Sequence, residues 1–179
     1  SRIDTGEMQS ESLSSRLVSL NSPQGDRFYV DIEREREGLF SDFTIRPGIV
    51  IPTGKYSFNS FGIGLETSNL RAFSPDIGYR EGEFYNGDRR EIELGLDWQP
   101  GARFSAVFSY NYTDIDLPQG DFISRLVRFN TTFSFNATWS WINLLQYDNR
   151  SQLVGLNSRL HWDPQAGEDF YLVLNYNFD

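Results

Sequence analysis

Glu91 and Glu93 stand two residues apart in "EIELGLDW" (91–98). In an extended strand that spacing puts both carboxylates on one side, about 6.6 Å apart. Glycoside hydrolysis uses two carboxylates at comparable separations. The plainer use is ion pairing with Arg80, Arg103, Arg128 or Arg159 from other strands, since carboxylates withdrawn from water need partners. His161 is the only histidine. A hydrolase would need it beside a nucleophilic serine, with an orienting amide or acid. Ser158 lies three residues away, on the opposite face of a strand, and Asn157 is too distant to orient the ring. A serine on a neighbouring strand stays open, but a histidine hydrogen-bonded to its neighbours, inside or at the rim, is the better reading. Asp114, Asp116 and Asp121 in "DIDLPQGD" offer hard oxygen ligands for Ca²⁺, yet without the spacing of an EF-type loop. A Pro-Gly turn dressed with solvated acids accounts for them as well. No catalytic, cofactor-binding or metal residue is assigned, no cofactor is expected, and the chain is not read as an enzyme.

The elements that must position these groups are strands. Ile92, Leu94, Leu96 and Trp98 alternate with Glu91, Glu93, Gly95 and Asp97, the period of two that places unlike side chains on opposite faces. The pattern recurs around Phe28–Ile32, Phe61–Leu65, Phe73–Tyr79, Phe104–Tyr112, Val127–Phe135, Trp139–Tyr147, Leu156–Trp162 and Phe170–Tyr176, with a weaker segment at Leu13–Leu20. About ten strands of some ten residues result, the length that crosses a bilayer when tilted. Short turns are expected at 21–26, 99–103, 134–138 and 163–169, and longer polar loops at 36–55, 85–90, 113–122 and 147–152. Pro47 and Pro52 disfavour a regular central strand, so residues 38–54 read as an ordered loop. That segment carries Phe40, Phe43, Ile45, Ile49 and Val50, apolar enough to dock a partner or, preferably, to fold over a barrel mouth as a plug.

Composition narrows the class. Aromatic residues make up 16% of the 179, although hydrophobic residues are only 39%, an unusual balance for a soluble domain. No apolar run is long enough for a transmembrane helix, and no signal-peptide pattern is present. A formal charge of −9 argues against nucleic-acid binding, which needs Lys and Arg to neutralise phosphates. Zero cysteines excludes a disulfide framework.

Which face points outward decides the function. In a soluble sandwich or barrel, the alternative reading, the apolar phase points in. Here the polar phase is rich in Gly, Ser, Asn and isolated charges of both signs, suited to a crowded interior. The aromatics gather near strand ends, where Tyr and Trp favour a membrane–water interface. Spanning strands must also close to satisfy their backbone groups. The expected fold is therefore all-β, a closed antiparallel transmembrane β-barrel of up-and-down topology with about 10 strands (range 8–12). Its lumen is expected to hold a charge network of Asp31, Glu33, Arg80, Glu91, Glu93, Asp97, Arg103, Arg128, Arg159 and His161. Facing lipid or its interface would be Phe28, Phe61, Trp98, Phe104, Phe108, Tyr110, Phe129, Phe133, Trp139, Trp141, Trp162, Phe170 and Tyr176.

Five stretches carry a resemblance: "RPGIVIPTGKYSF" (46–58), "GEFYNGDRREIELGLDWQP" (82–100), "DIDLPQGDFISRLVRFNTTFSF" (114–135), "LLQYDNRSQLVGLNSRLHW" (144–162) and "DFYLVLNYN" (169–177). In this order they resemble the C-terminal β-barrel domain of large bacterial envelope proteins whose N-terminal region is a carbohydrate-binding family 9-like module. The resemblance implies an outer-membrane barrel and transfers no activity or site residue. The N-terminal module and a last aromatic-ended strand after Asp179 are absent, so the chain reads as one domain, 1–179, a portion of a larger barrel or a shortened relative. The expectation is an anchor or scaffold in the bacterial outer membrane, with partner- or glycan-facing loops and no wide pore. It would be a monomer in contact with lipid, with lipopolysaccharide or glycan as further candidate contacts. A narrow channel for small solutes or ions is the alternative.

Overall fold

A computed structural model describes residues 10–165 and 167–178. The described residues form an all-β meander of twelve antiparallel strands. Ten form one sheet: β1 (Ser10–Asn21), β2 (Arg27–Leu39), β5 (Gly54–Glu66), β6 (Phe73–Phe84), β7 (Gly87–Gly101), β8 (Phe104–Leu117), β9 (Gly120–Ser134), β10 (Trp139–Asp148), β11 (Leu153–Gln165) and β12 (Glu168–Phe178). β3 (Phe43–Arg46) and β4 (Ile49–Ile51) form a separate hairpin inserted between β2 and β5.

The alternation in the sequence becomes two faces of this sheet. Register carries the apolar phase across it in rows: Phe28, Leu65, Ile77, Leu94, Tyr110, Val127, Tyr147, Val154 and Phe178 follow one another strand by strand. A second row runs Leu96, Phe108, Phe129, Leu145, Leu156 and Tyr176. Nearer the β7–β8 and β9–β10 turns the row is aromatic. Trp98 packs on Phe104, Phe133 on Phe135, and Trp139 stacks on Trp162 with centroids 5.4 Å apart. A single sheet needs a second layer to bury an apolar face, and among the described residues this face has none. Phe61, Ile63, Leu65, Ile77, Trp98, Phe129 and Trp141 all remain exposed.

Among the described residues β1 pairs with β2 and β12 with β11, and no ladder joins β1 to β12. Two expectations need correcting. Polar stretches 85–90, 113–122 and 147–152 are not long loops. β6 runs to Phe84 and β7 starts at Gly87, β8 and β9 are joined by residues 118–119, and β10 and β11 by 149–152. Residues 87–90 keep the strand period with both faces polar, and in 113–122 Ile115, Leu117 and Phe122 take the phase that is polar elsewhere, so hydropathy alone hides these strand ends. Only the β2–β5 connection is long, and the expected ordered loop within it contains a small hairpin. Pro47 and Gly48 form its turn, and Gly48 takes the positive φ of 87° that glycine tolerates at such a corner.

Candidate functional site

The polar face has two parts, a charged floor and a capped end. All of the residues expected in a charge network except Arg103 lie on strands, and register puts them on this one face. Asp31 faces Gly62, Gly62 faces Arg80, Arg80 faces Glu91, and Gly78 faces Glu93. Asp97 faces Val107, Arg128 faces Ser109 and Gln146, Arg159 faces Ile142, and His161 faces Ser140. Arg103 lies in the β7–β8 turn.

Ion pairing within the face differs from the expected pairing of arginines with Glu91 and Glu93. Arg80 reaches across β5 to β2, with Nη2 donating to Asp31 Oδ1 and Nη1 to Glu33 Oε2, each at 3.3 Å. Gly62 permits this bridge. A Cβ there would run into the Asp31 carboxylate and touch the Arg80 guanidinium. Gly64 likewise leaves room for the Tyr29 ring, over which Arg16 lies at 4.7 Å. Glu91 takes Arg89 of its own strand at 3.6 Å, and Glu66 takes Arg27 at 2.5 Å. Gly95 underlies the Asp76 carboxylate, which a Cβ there would strike.

His161 is bound rather than poised on a nucleophile. Its Nε2 lies 2.6 Å from Asp169 Oδ1, and its ring stacks on Tyr171 at 4.5 Å. Ser158 projects from the other face, where its hydroxyl donates to Asn143 and accepts from Trp141 Nε1. Asp169 was not legible as a partner because it reaches His161 only through the β11–β12 pairing. Arg159 lies over the Tyr171 ring at 5.4 Å. Asp116 and Asp121 face one another across β8–β9, and Asp114 lies 4.0 Å from Arg90 on the apolar-phase side. The described residues contain no group of three or more metal-ligating side chains.

The capped end holds the hydrophobic core. Ile49 and Ile51 of β4 bury against Ile115 and Leu117 of β8, ringed by Leu39, Ile45, Tyr56, Phe84, Tyr85 and Phe122. All six main-sheet residues that receive the cap (Leu39, Tyr56, Phe84, Ile115, Leu117 and Phe122) occupy polar-phase positions, where the sequence switches to apolar or aromatic types for this one patch. Arg46 lies over Phe122 at 5.3 Å, and a Cβ on Gly120 would meet Ile49 at 3.2 Å. Asp42 fixes the base of the hairpin by accepting from both the backbone N–H and the hydroxyl of Thr53. Burial first, and then the bond to Glu37, push the Tyr85 phenol in the β6–β7 turn well above its ordinary range.

At the opposite end Asp26 ties two turns together. It accepts from the Ser68 backbone at 3.0 Å and from Arg71 at 2.7 Å, and these bonds hold its carboxyl below the usual carboxylate range.

No family model, curated protein or solved structure matches this chain.

Proposed function

We propose that the protein is an integral outer-membrane β-barrel that serves as an envelope anchor or scaffold. The observation that carries this reading is the uncovered apolar face. It runs across all ten strands of the sheet with no layer over it among the described residues, while charged groups occupy the more sheltered face. Lipid supplies the missing layer, and the aromatic row near one set of turns fits a membrane interface.

Closure follows in the same proposal. Ten antiparallel strands leave β1 and β12 running in opposite directions, so they can pair as any two neighbours do. Both edges present apolar side chains on one phase: Leu13, Val18 and Leu20 on β1, and Phe170, Leu172 and Leu174 on β12. Closure would remove two exposed ladders of unpaired backbone groups, which a membrane does not tolerate. Side chains and the β3–β4 cap occupy the interior, which favours a scaffold over a wide pore. The resemblance to envelope-protein barrel domains supports the location, and the turns would face partners or glycans.

Tryptophan fluorescence in vesicles of brominated lipid tests the reading. Trp98, Trp139, Trp141 and Trp162 all lie on the apolar face. Strong quenching is expected. A monomer that folds in buffer without detergent and escapes quenching would overturn the proposal. Because the chain has no native cysteine, paired cysteines introduced on β1 and β12 would report closure directly as an intramolecular disulfide.

A further inference from the structure

We propose that Arg34, Arg36 and Lys55 form a headgroup site for an anionic phospholipid, a partner assignment that rests on the membrane reading above. On β2 the apolar phase reads Phe28, Val30, Ile32, and then Arg34 and Arg36. On β5 the matching phase reads Leu65, Ile63, Phe61, and then Asn59, Ser57 and Lys55. Register aligns the change: Ile32 faces Phe61, Arg34 faces Asn59, Arg36 faces Ser57, and Gly38 faces Lys55. The surface thus passes from aliphatic and aromatic to cationic within one cross-strand step. An amphiphile lying along it would set acyl chain on Ile32, Phe61 and Ile63, and phosphate on the cations beyond.

The cations here differ from Arg90, which register places in the row of Ile32 and Phe61. Arg90 is engaged by Glu81 at 3.6 Å and Asp114 at 4.0 Å. Among the described residues Arg36 has only Glu11, at 3.5 Å between two half-exposed side chains, and neither Arg34 nor Lys55 has a carboxylate within ion-pair distance. The nearby carboxylates are engaged: Glu83 accepts from Asn59, and Glu11 takes Arg36, which leaves Arg34 and Lys55 without a carboxylate partner among the described residues. The second, independent observation is a cavity of about 690 Å³ lined by Arg36, Leu39, Phe40, Lys55 and Ser57. Glu37 also lines it but accepts from the Tyr85 hydroxyl at 2.7 Å. Two cations, a hydroxyl and two apolar side chains in one recess are the chemistry of a phosphate on a greasy stem.

The test is native mass spectrometry of the full chain released from detergent micelles, titrated with dioleoylphosphatidylglycerol or dioleoylphosphatidylcholine. The wild type should retain the anionic lipid preferentially. Arg36→Gln/Lys55→Gln should weaken it by roughly 10- to 30-fold, at about fivefold per cation. Arg90→Gln/Arg125→Gln, which removes the same charge elsewhere, should bind as wild type. Arg36→Lys/Lys55→Arg, keeping both charges, should bind nearly as well, which separates lost recognition from lost folding. The proposal is overturned if the wild type does not distinguish the two lipids, or if the two Gln pairs weaken binding equally. Full displacement of the lipid by millimolar inorganic phosphate would also overturn it, by showing a site for free phosphate. Failure of tryptophan quenching would sink the membrane reading itself, whereas quenching without lipid preference would sink only this site.

Discussion

Asp31 and Phe61 lie on adjacent strands and face opposite ways. The carboxylate side chain is 15% exposed, and the phenyl residue is 45% exposed. Water as the only solvent would select the reverse, because burying a charge is costly and burying a ring is favourable. Asp31 can be sheltered because Arg80 crosses the Gly62 gap to reach it. Phe61 has no comparable partner on its side of the sheet. One face holds ion pairs of its own, as at Arg80 with Asp31 and Glu33, and the other carries apolar side chains that nothing among the described residues covers. The difference separates a face with partners inside the chain from a face that the proposed bilayer would cover.

The two faces should answer differently to substitution. The largest effect is expected where the polar face turns apolar: Ile51, with no exposed surface, should lose about 2–5 kcal/mol of stability as Ile51→Ala. Urea unfolding monitored by tryptophan emission measures it. On the apolar face, Leu94→Arg should cost about 2–4 kcal/mol in vesicles if the residue sits near the bilayer midplane. A loss under 0.5 kcal/mol, as expected for an ordinary water-exposed site, would collapse the contrast between the faces. Arg80→Gln should cost roughly 1–3 kcal/mol by stranding Asp31 and Glu33. This is less than for a fully buried pair, because Arg80 is partly exposed. Restoring stability with Asp31→Asn/Glu33→Gln in the same chain would show that the loss is electrostatic.

The smallest effect concerns pH. The Asp26 carboxyl is lowered in the folded chain by the Ser68 backbone and then by Arg71. Its contribution is therefore present above the unfolded carboxyl range and fades as pH falls through the folded value. Asp26→Asn should flatten the acid limb of the stability profile while leaving the neutral limb nearly parallel, as read from unfolding midpoints between pH 3 and 7.

Much of this organisation was legible in the residues. The alternation from Phe28 to Tyr176 assigns side chains to faces because a period of two survives any strand order that keeps the pleat. Strand ends were harder. "GDRR" is polar on both phases, and in "DIDLPQGD" the apolar residues fall on the phase that is polar elsewhere, so a ladder there looks like a loop until backbone pairing is known. The partners of Arg80 were missed for a related reason. Its carboxylates lie two strands away on β2, and the signal was the pair of glycines at 62 and 64, which reads as weak strand rather than as space. Pro47 and Pro52 suggested an ordered loop over 38–54, whereas Gly38, Leu39 and Gly54 pair within the main sheet and Pro47-Gly48 is the turn of a hairpin rather than a break.

The cap also gives the chain an order of assembly. Every ladder in the sheet joins strands that are neighbours in the meander, so it can zip from turn to turn at small entropic cost. Ile49 and Ile51 need something else: β8, three ladders further on, must already be in place before Ile115 and Leu117 can receive them. The hairpin therefore docks late, and by the same logic it is the first segment to lift when stability is lowered. Amide exchange at Ile49–Ile51 should outrun exchange along β7 and β8, which makes the cap the molecule's own indicator of partial opening.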